Sequence, residues 1–337
     1  MKTHIFTLSI PFIRNSGVAQ AMSHQRIMLE KCGVEVTTKS AKGCDVVHIN
    51  TIFPADAIMA LISRIKGRKV ICYGHSTKED FKNSFTGSNK LAGFMGLWLK
   101  FCYSLGHVVI TPTAYSKGLL ESYGIKRPIY DLSNGVDIEF FSNTEERQER
   151  FRKKFNLSKE DKVIMSVGHF IIRKGIIEFI ELARSLPQYK FFWFGYTASS
   201  IIPRKVSKAI KNAPPNLTFP GFIKQDELRD AYCGADLFAF MSTEETEGIV
   251  ILEALACKTP TLVRNIPVYS GWLVDGENCV KAESTEEFRD KLVDIMEGRI
   301  TVPVEAERRL AESRSYDVLG KKLLAIYEKE FGLNPDS

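Results

Sequence analysis

The stretch Thr243-Glu244-Glu245-Thr246-Glu247-Gly248-Ile249-Val250-Ile251-Leu252-Glu253-Ala254-Leu255-Ala256 runs an acidic loop into a glycine and then into an apolar helix. One carboxylate, Glu253, stands among Ile, Leu and Ala on that helix. An ionised carboxylate in apolar surroundings is costly unless something hydrogen-bonds it. Gly248 permits close approach to the backbone. The N–H groups of Ile249 and Val250 then point outward at the positive end of the helix dipole, where a diphosphate binds well. Glu253 lies five residues beyond Gly248, or ~7.5 Å down the axis at ~1.5 Å per residue. That matches the offset between the diphosphate and the ribose of one nucleotide. Glu245, still in the loop, then faces whatever hangs on the far side of the diphosphate. A solvated acidic loop before a core helix has the same pattern, so these residues alone leave both readings open.

Outward from this stretch the second half of the chain alternates strands and helices. Strands are expected over 163–167, 190–194, 236–240 and 260–264, with helices over 176–185, 202–211 and 226–233. The loop 168–175 carries Arg173 and Lys174 just before a helix, placed to neutralise an anion, Arg as a fork and Lys as a point charge. Two further helical stretches are expected near 285–298 and 305–331. The first half repeats the pattern, with strands over 2–10, 34–38, 45–49, 69–73, 108–111 and 128–132. Helices are expected over 18–31, 55–66, 89–105 and 115–123, after a loop over 11–17. This alternation predicts an α/β chain with two doubly wound parallel sheets and ligands at the carboxyl ends of the strands. His75 follows such an end. The charge-dense, apolar-poor 142–161 stretch marks a domain boundary. The domains expected are 1–141, 142–315 and a terminal helix 316–337, with the carboxyl-end loops facing each other across an interdomain cleft.

The chain has 337 residues, 44% apolar and 26% charged, which suits a folded protein of two domains rather than a disordered or fibrous one. No apolar run reaches the ~18 residues of a spanning helix, and the amino terminus reads as a first strand rather than a signal peptide. Seven scattered cysteines without a C-x-x-C are expected to be reduced thiols of a cytoplasmic protein, neither disulfides nor zinc ligands. Residues 1–140 hold 17 Lys and Arg against 10 Asp and Glu, and the remainder 29 against 30. The positive excess thus lies in the first half and implies an anionic partner there. No nucleic-acid motif is visible, and an anionic membrane surface fits. The 89–105 stretch adds Leu91, Phe94, Met95, Trp98, Leu99 and Phe101 between Lys90 and Lys100. Such a helix can lie in a bilayer interface, with Phe94 and Trp98 as lipid contacts, or pack on the sheet. Arg64, Lys66, Arg68 and Lys69 add positive charge upstream.

The Glu245-x7-Glu253 pair with Gly248–Ala256 resembles the signature of family 4 retaining nucleotide-sugar glycosyltransferases, which have the GT-B fold. The resemblance implies that Glu253 binds the ribose hydroxyls and Glu245 the donor sugar. It places His75 on the transferred sugar and the Ser16-Gly17-Val18 segment over the donor diphosphate. In the loop 168–175 the family carries Gly-Arg-x4-Lys-Gly. Lys174 matches, His169 stands in the Arg position, and Arg173 is a neighbouring substitute. Ile223, just past Gly221, corresponds to the backbone that holds the base edge. The last helix is expected to pack back on the first domain. The stretches 73–89, 244–256 and 264–269 further resemble the glycolipid synthases of Gram-positive bacteria. Those enzymes add a hexose from a UDP-sugar to diacylglycerol or to monoglucosyl-diacylglycerol, giving membrane glycolipids and lipoteichoic acid anchors. The short first domain is more similar to the second-sugar enzymes.

The expected activity is therefore α-hexosyl transfer, galactose or glucose, from a UDP-sugar to a diacylglycerol-based acceptor, at the inner face of the cell membrane. With no Asp-x-Asp and no His/Cys cluster in the sequence, no cofactor or metal is expected. The diphosphate charge then falls to Arg173, Lys174 and the N–H groups at Gly248–Val250. No general base is evident beside the acceptor; the resemblance to retaining GT-B enzymes implies that the leaving phosphate takes the acceptor proton. Alternatives are a first-sugar diacylglycerol glucosyltransferase, a UDP-sugar epimerase, a silent nucleotide-sugar-binding protein and an enzyme with a soluble acceptor.

Overall fold

The structure, a computed structural model, describes residues 1–13, 16–81 and 88–334. Residues 82–87 of the 73–89 motif, the side chains of Lys90 and Leu91 and the terminal residues 335–337 lie outside this description. The described chain divides into two compact units, one built from 1–81, 88–135 and 314–334, the other from 136–313.

The first unit holds six parallel strands: β1 (Lys2–Ile5), β2 (Glu35–Thr37), β3 (Val46–Ile49), β4 (Lys69–Tyr73), β5 (Val108–Thr111) and β6 (Ile129–Asp131), in the order β2-β1-β3-β4-β5-β6. β3 and β5 are buried along their whole length, as continuous Val/Ile runs in a two-faced parallel sheet must be. The strand order reverses between β1 and β3, and Asn50 lies directly beyond the carboxyl end of β3. Ser16 caps the helix Gly17–Lys31 by accepting from the Ala19 amide at 3.4 Å, so the helix expected from Val18 begins one residue earlier, at Gly17. The expected 2–10 strand stops at Ile5, and Ile10–Ile13 form one helical turn. The last helix, Tyr316–Phe331, packs on Gly17–Lys31 and buries Leu319, Leu323 and Tyr327 against Met28 and Leu29.

The second unit also holds six parallel strands: β7 (Val163–Val167), β8 (Lys190–Phe194), β9 (Leu217–Gly221), β10 (Leu237–Phe240), β11 (Thr261–Arg264) and β12 (Val280–Ala282). Their order, β12-β11-β10-β7-β8-β9, reverses between β7 and β10. The two carboxyl ends at that reversal are where an open α/β sheet seats its ligand. β12 has three residues and no expected counterpart. It exists because β11 pairs with it from Leu262 to Arg264.

Three further expectations are corrected. The 142–161 stretch lies within the second unit rather than at a boundary: Glu145–Lys154 is a helix held there by one buried ring, Phe151, and by the Arg150–Asp230 ion pair at 2.8 Å. One apolar contact on an otherwise solvated helix leaves little periodicity to read. The units change at Gly135/Val136 rather than at 141/142, because Phe141 is buried against Tyr232. Arg308 also holds the carbonyls of Ile138 and Phe141, each at 2.9 Å. The expected helix 305–331 is two helices, Val304–Glu312 and Tyr316–Phe331, broken where the chain passes between units at Ser313/Arg314. Each half packs on a different partner, and sequence periodicity does not record which.

Candidate functional site

At the reversal point of the second sheet, β7 feeds Gly168-His169-Phe170-Ile171 and a short helical turn, Ile172–Lys174, while β10 feeds Met241–Gly248. Gly175 follows at φ 76°, and a side chain there would collide with the Met241 carbonyl. Only glycine lets the two loops press together. Backbone bonds lock the contact: the Arg173 carbonyl accepts from the Thr243 amide at 2.8 Å and from the Ser242 hydroxyl at 3.1 Å.

Locked this way, the basic pair meets the acidic loop. Lys174 Nζ forms an ion pair with Glu245 Oε1, and their side chains keep only 14% and 8% exposure. The ammonium also lies 5.6 Å from the centre of the Phe240 ring, a cation–π contact that favours its charged form. Arg173 Nη1 donates to the Glu244 carbonyl at 2.9 Å. Burial pushes the Glu245 carboxyl up, but Lys174, Arg173 and the Ser242 hydroxyl outweigh it and hold the group below its usual range. Glu245 is therefore ionised at neutral pH, and a preset cation–anion pair stands where the two loops meet.

His169 does not add a third cation. Burial lowers its pKa, and Lys174 and Arg173 lower it further, against the Tyr196 carbonyl and Glu245. Its Nδ1 lies 2.8 Å from that carbonyl, which can only accept, so Nδ1 carries the proton of a neutral ring. The neighbouring Phe170 amide donates to Thr197 Oγ1 at 2.8 Å.

Gly248, at φ 94°, opens the helix Ile249–Ala256 without a side-chain cap. Ile249 is buried and Val250 half-buried. Glu253 is 1% exposed on that helix and accepts from the Tyr232 hydroxyl at 3.0 Å. The expected hydrogen-bond partner is thus a phenol from the helix Gln225–Gly234. Ile223 follows β9, half-buried beside an exposed Phe222.

The second unit thus joins Arg173, Lys174 and Glu245 in one cluster and carries His169, Ile223, Gly248, Ile249, Val250 and Glu253 on the adjoining loops and helix. Ser16, Gly17, Val18 and His75 belong to the first unit. His75, after β4, is nearly buried and places Nε2 3.0 Å from Asn50 Oδ1. Sequence reasoning missed Tyr232, Ser242, Tyr196 and Asn50. Only the placement of Ser242, Tyr196 and Asn50 just past strand ends could have flagged them; Tyr232 carries no short-range signal. Among the described residues no group of three or more His, Cys, Asp or Glu could hold a metal ion.

The profile of the Glycosyl transferases group 1 family matches residues 147–314, and that of Glycosyltransferase Family 4 matches 34–140. The processive diacylglycerol alpha-glucosyltransferase of Acholeplasma laidlawii is 37% identical over 334 residues, spanning 98% of each chain. The chain belongs to the family 4 glycosyltransferases. It is an enzyme, a hexosyltransferase. This glycosyltransferase is also 26% identical to the alpha-galactosylglucosyldiacylglycerol synthase of Streptococcus pneumoniae, over 93% of this chain and 83% of the relative. Its fold is GT-B. The solved structure of Anabaena Alr3699/HepE in complex with UDP superposes with a TM-score of 0.76 at 16% identity, over 97% of this chain and 99% of that one.

Proposed function

We propose that this glycosyltransferase moves a hexose from a UDP-sugar, with retention, onto monoglucosyl-diacylglycerol, giving a diglycosyl-diacylglycerol of the kind that anchors lipoteichoic acid. The observation that carries the reading is the Lys174–Glu245 ion pair at the sheet's reversal point. It supplies a fixed cation for a departing diphosphate and a fixed carboxylate for the hydroxyls of the donor sugar. Arg173 and the amides of Gly248–Val250 share the diphosphate charge with Lys174, so no metal is needed for it. Glu253, oriented by Tyr232, takes the ribose hydroxyls. His169 stays neutral and contributes shape rather than charge. The leaving phosphate takes the acceptor proton. The names of the two relatives support a diacylglycerol-based acceptor, the first of them over nearly the full chain.

Such an acceptor lies in a bilayer, and the first unit offers a face for one. The helix Pro54–Ile65 exposes Ile58, Leu61, Ile62 and Ile65, and the helix Ser88–Ser104 exposes Phe94, Leu97 and Phe101. Both helices rest on one apolar cluster through Ala60 and Leu99. Exposed Lys66 and Lys100 add positive charge. This is the chemistry of peripheral binding to an anionic surface. Among the described residues no helix is long and apolar enough to cross a membrane.

The test is a four-way assay, UDP-glucose and UDP-galactose each over vesicles of diacylglycerol and of monoglucosyl-diacylglycerol, with and without EDTA. An α-linked diglycosyl product that forms equally in EDTA is expected. Free epimer without lipid product would overturn the transfer, and loss of turnover in EDTA would overturn the charge assignment.

A further inference from the structure

A buried polar chain runs through the first unit and ends on His75. Its members are Thr3 on β1, Tyr327 on the last helix, His48 on β3, Gln25 on the helix Gly17–Lys31, Asn50 after β3, and His75 after β4. All are buried; His75, the most open, is 8% exposed. Burial lowers His75 to a pKa of about 4, and burial with His4 lowers His48 to about 3. Each ring is therefore neutral near pH 7 and carries one N–H, on Nδ1 or on Nε2.

The hydrogen bonds decide which. Asn50 Oδ1 receives Gln25 Nε2 at 2.7 Å, and since a carbonyl oxygen only accepts, His75 Nε2 at 3.0 Å must donate to it. Gln25 Oε1 receives Asn50 Nδ2 at 3.1 Å, so His48 Nδ1 at 3.2 Å must also donate. His48 Nε2 is then an acceptor, and its partner is the Tyr327 hydroxyl. Thr3 Oγ1, 3.4 Å from that hydroxyl, completes the chain. Turning over both amides and both imidazole protons gives one other self-consistent arrangement. A phenol is a stronger donor than acceptor, so Tyr327 favours the arrangement in which it donates to His48.

We propose that Tyr327 is a positioning residue which, through His48, Gln25 and Asn50, holds His75 as its Nε2–H tautomer and so presents Nδ1 as an acceptor for a hydroxyl of the transferred sugar. The sugar contact itself rests on the function proposed above; the tautomer does not. Stacking of the His75 ring on Tyr73, with centroids 5.7 Å apart and planes 12° apart, fixes the ring's plane while the polar chain fixes its proton.

Nitrogen NMR on the full-length protein labelled with 15N-histidine tests this, with His75 assigned by its loss in His75→Gln. A pyridine-type Nδ1 and a pyrrole-type Nε2 are expected in the unaltered protein. In Tyr327→Phe the two His75 signals should move toward each other as both tautomers fill. There kcat should fall about tenfold while KM for the sugar nucleotide stays within twofold. A pyrrole-type Nδ1 in the unaltered protein overturns the proposal whether or not the variant folds. So does a folded Tyr327→Phe with unchanged His75 signals and unchanged kcat. Full turnover in His75→Ala would remove the sugar contact alone, leaving the tautomer to the NMR result.

Discussion

Lys174 and Glu253 carry the clearest consequences of single side chains. Lys174→Ala removes a positive charge from a nearly buried anion partner and from the departing diphosphate. Losing one such group costs ~10²–10³ in rate, so kcat should fall about 100-fold while sugar-nucleotide binding changes less. Steady-state kinetics beside calorimetric titration would show it, and full turnover would refute the role. Glu253→Ala loses a charged hydrogen-bond acceptor, worth ~1.5–3 kcal/mol, so the Kd for UDP should rise about 10- to 100-fold; unchanged UDP affinity would dispose of the ribose contact. The glutamate pair and Lys174 were legible because motif spacing is local. Tyr232, which orients Glu253, was not, because it arrives from a different helix.

The helix Ser88–Ser104 shows what an element's composition leaves open. Its apolar surface was legible, but not which residues face outward. Trp98, expected to touch lipid, is pinned by its indole N–H to the Ile52 carbonyl at 2.8 Å and rests on Phe101. Leu99 is fully buried, while Phe94 and Leu97 are 69% and 71% exposed. The neighbouring helix Pro54–Ile65 adds its own apolar face, which its ordinary amphipathic spacing had not announced. Phe94→Ser with Leu97→Ser should weaken binding to anionic vesicles about tenfold or more, since full burial of each is worth ~1.5–3 kcal/mol. UDP binding should be unchanged. Equal sedimentation of variant and parent with vesicles would contradict the lipid face.

At the scale of the whole molecule, stability should be greatest near neutral pH. His48 and His75 have folded pKa values depressed to about 3 and about 4 by burial. Between those values and the ordinary imidazole pKa the unfolded chain binds more protons. Acid therefore removes stability from ~6.5 downward, by up to ~1.4 kcal/mol per pH unit for each ring. Glu307 acts oppositely. Burial pushes its carboxyl up to about 9, with the Thr261 backbone offsetting only part. The folded state then holds a proton that the unfolded state has lost, and stability declines as pH rises from the ordinary carboxylate value toward about 9. Glu307→Gln should flatten that alkaline decline and raise Tm at pH 8 by roughly 2–4 °C per kcal/mol relieved. Melting curves across pH would decide, and an unaltered alkaline slope would count against it.

By itself the sequence determined the two parallel sheets, the family signature and the basic–acidic loop pair. Each is written in periodicity or in spacing over a few residues, and apolar burial acts on those patterns directly. Tertiary structure alone decided the edge strand β12, the division of the last two helices between units, the outward face of Ser88–Ser104, and the polar chain from Tyr327 to His75. These depend on groups as far apart as His48 and Tyr327, 279 positions along the chain. Their hydrogen bonds form only after hydrophobic packing has brought the elements together, and no local pattern encodes a partner that the topology supplies.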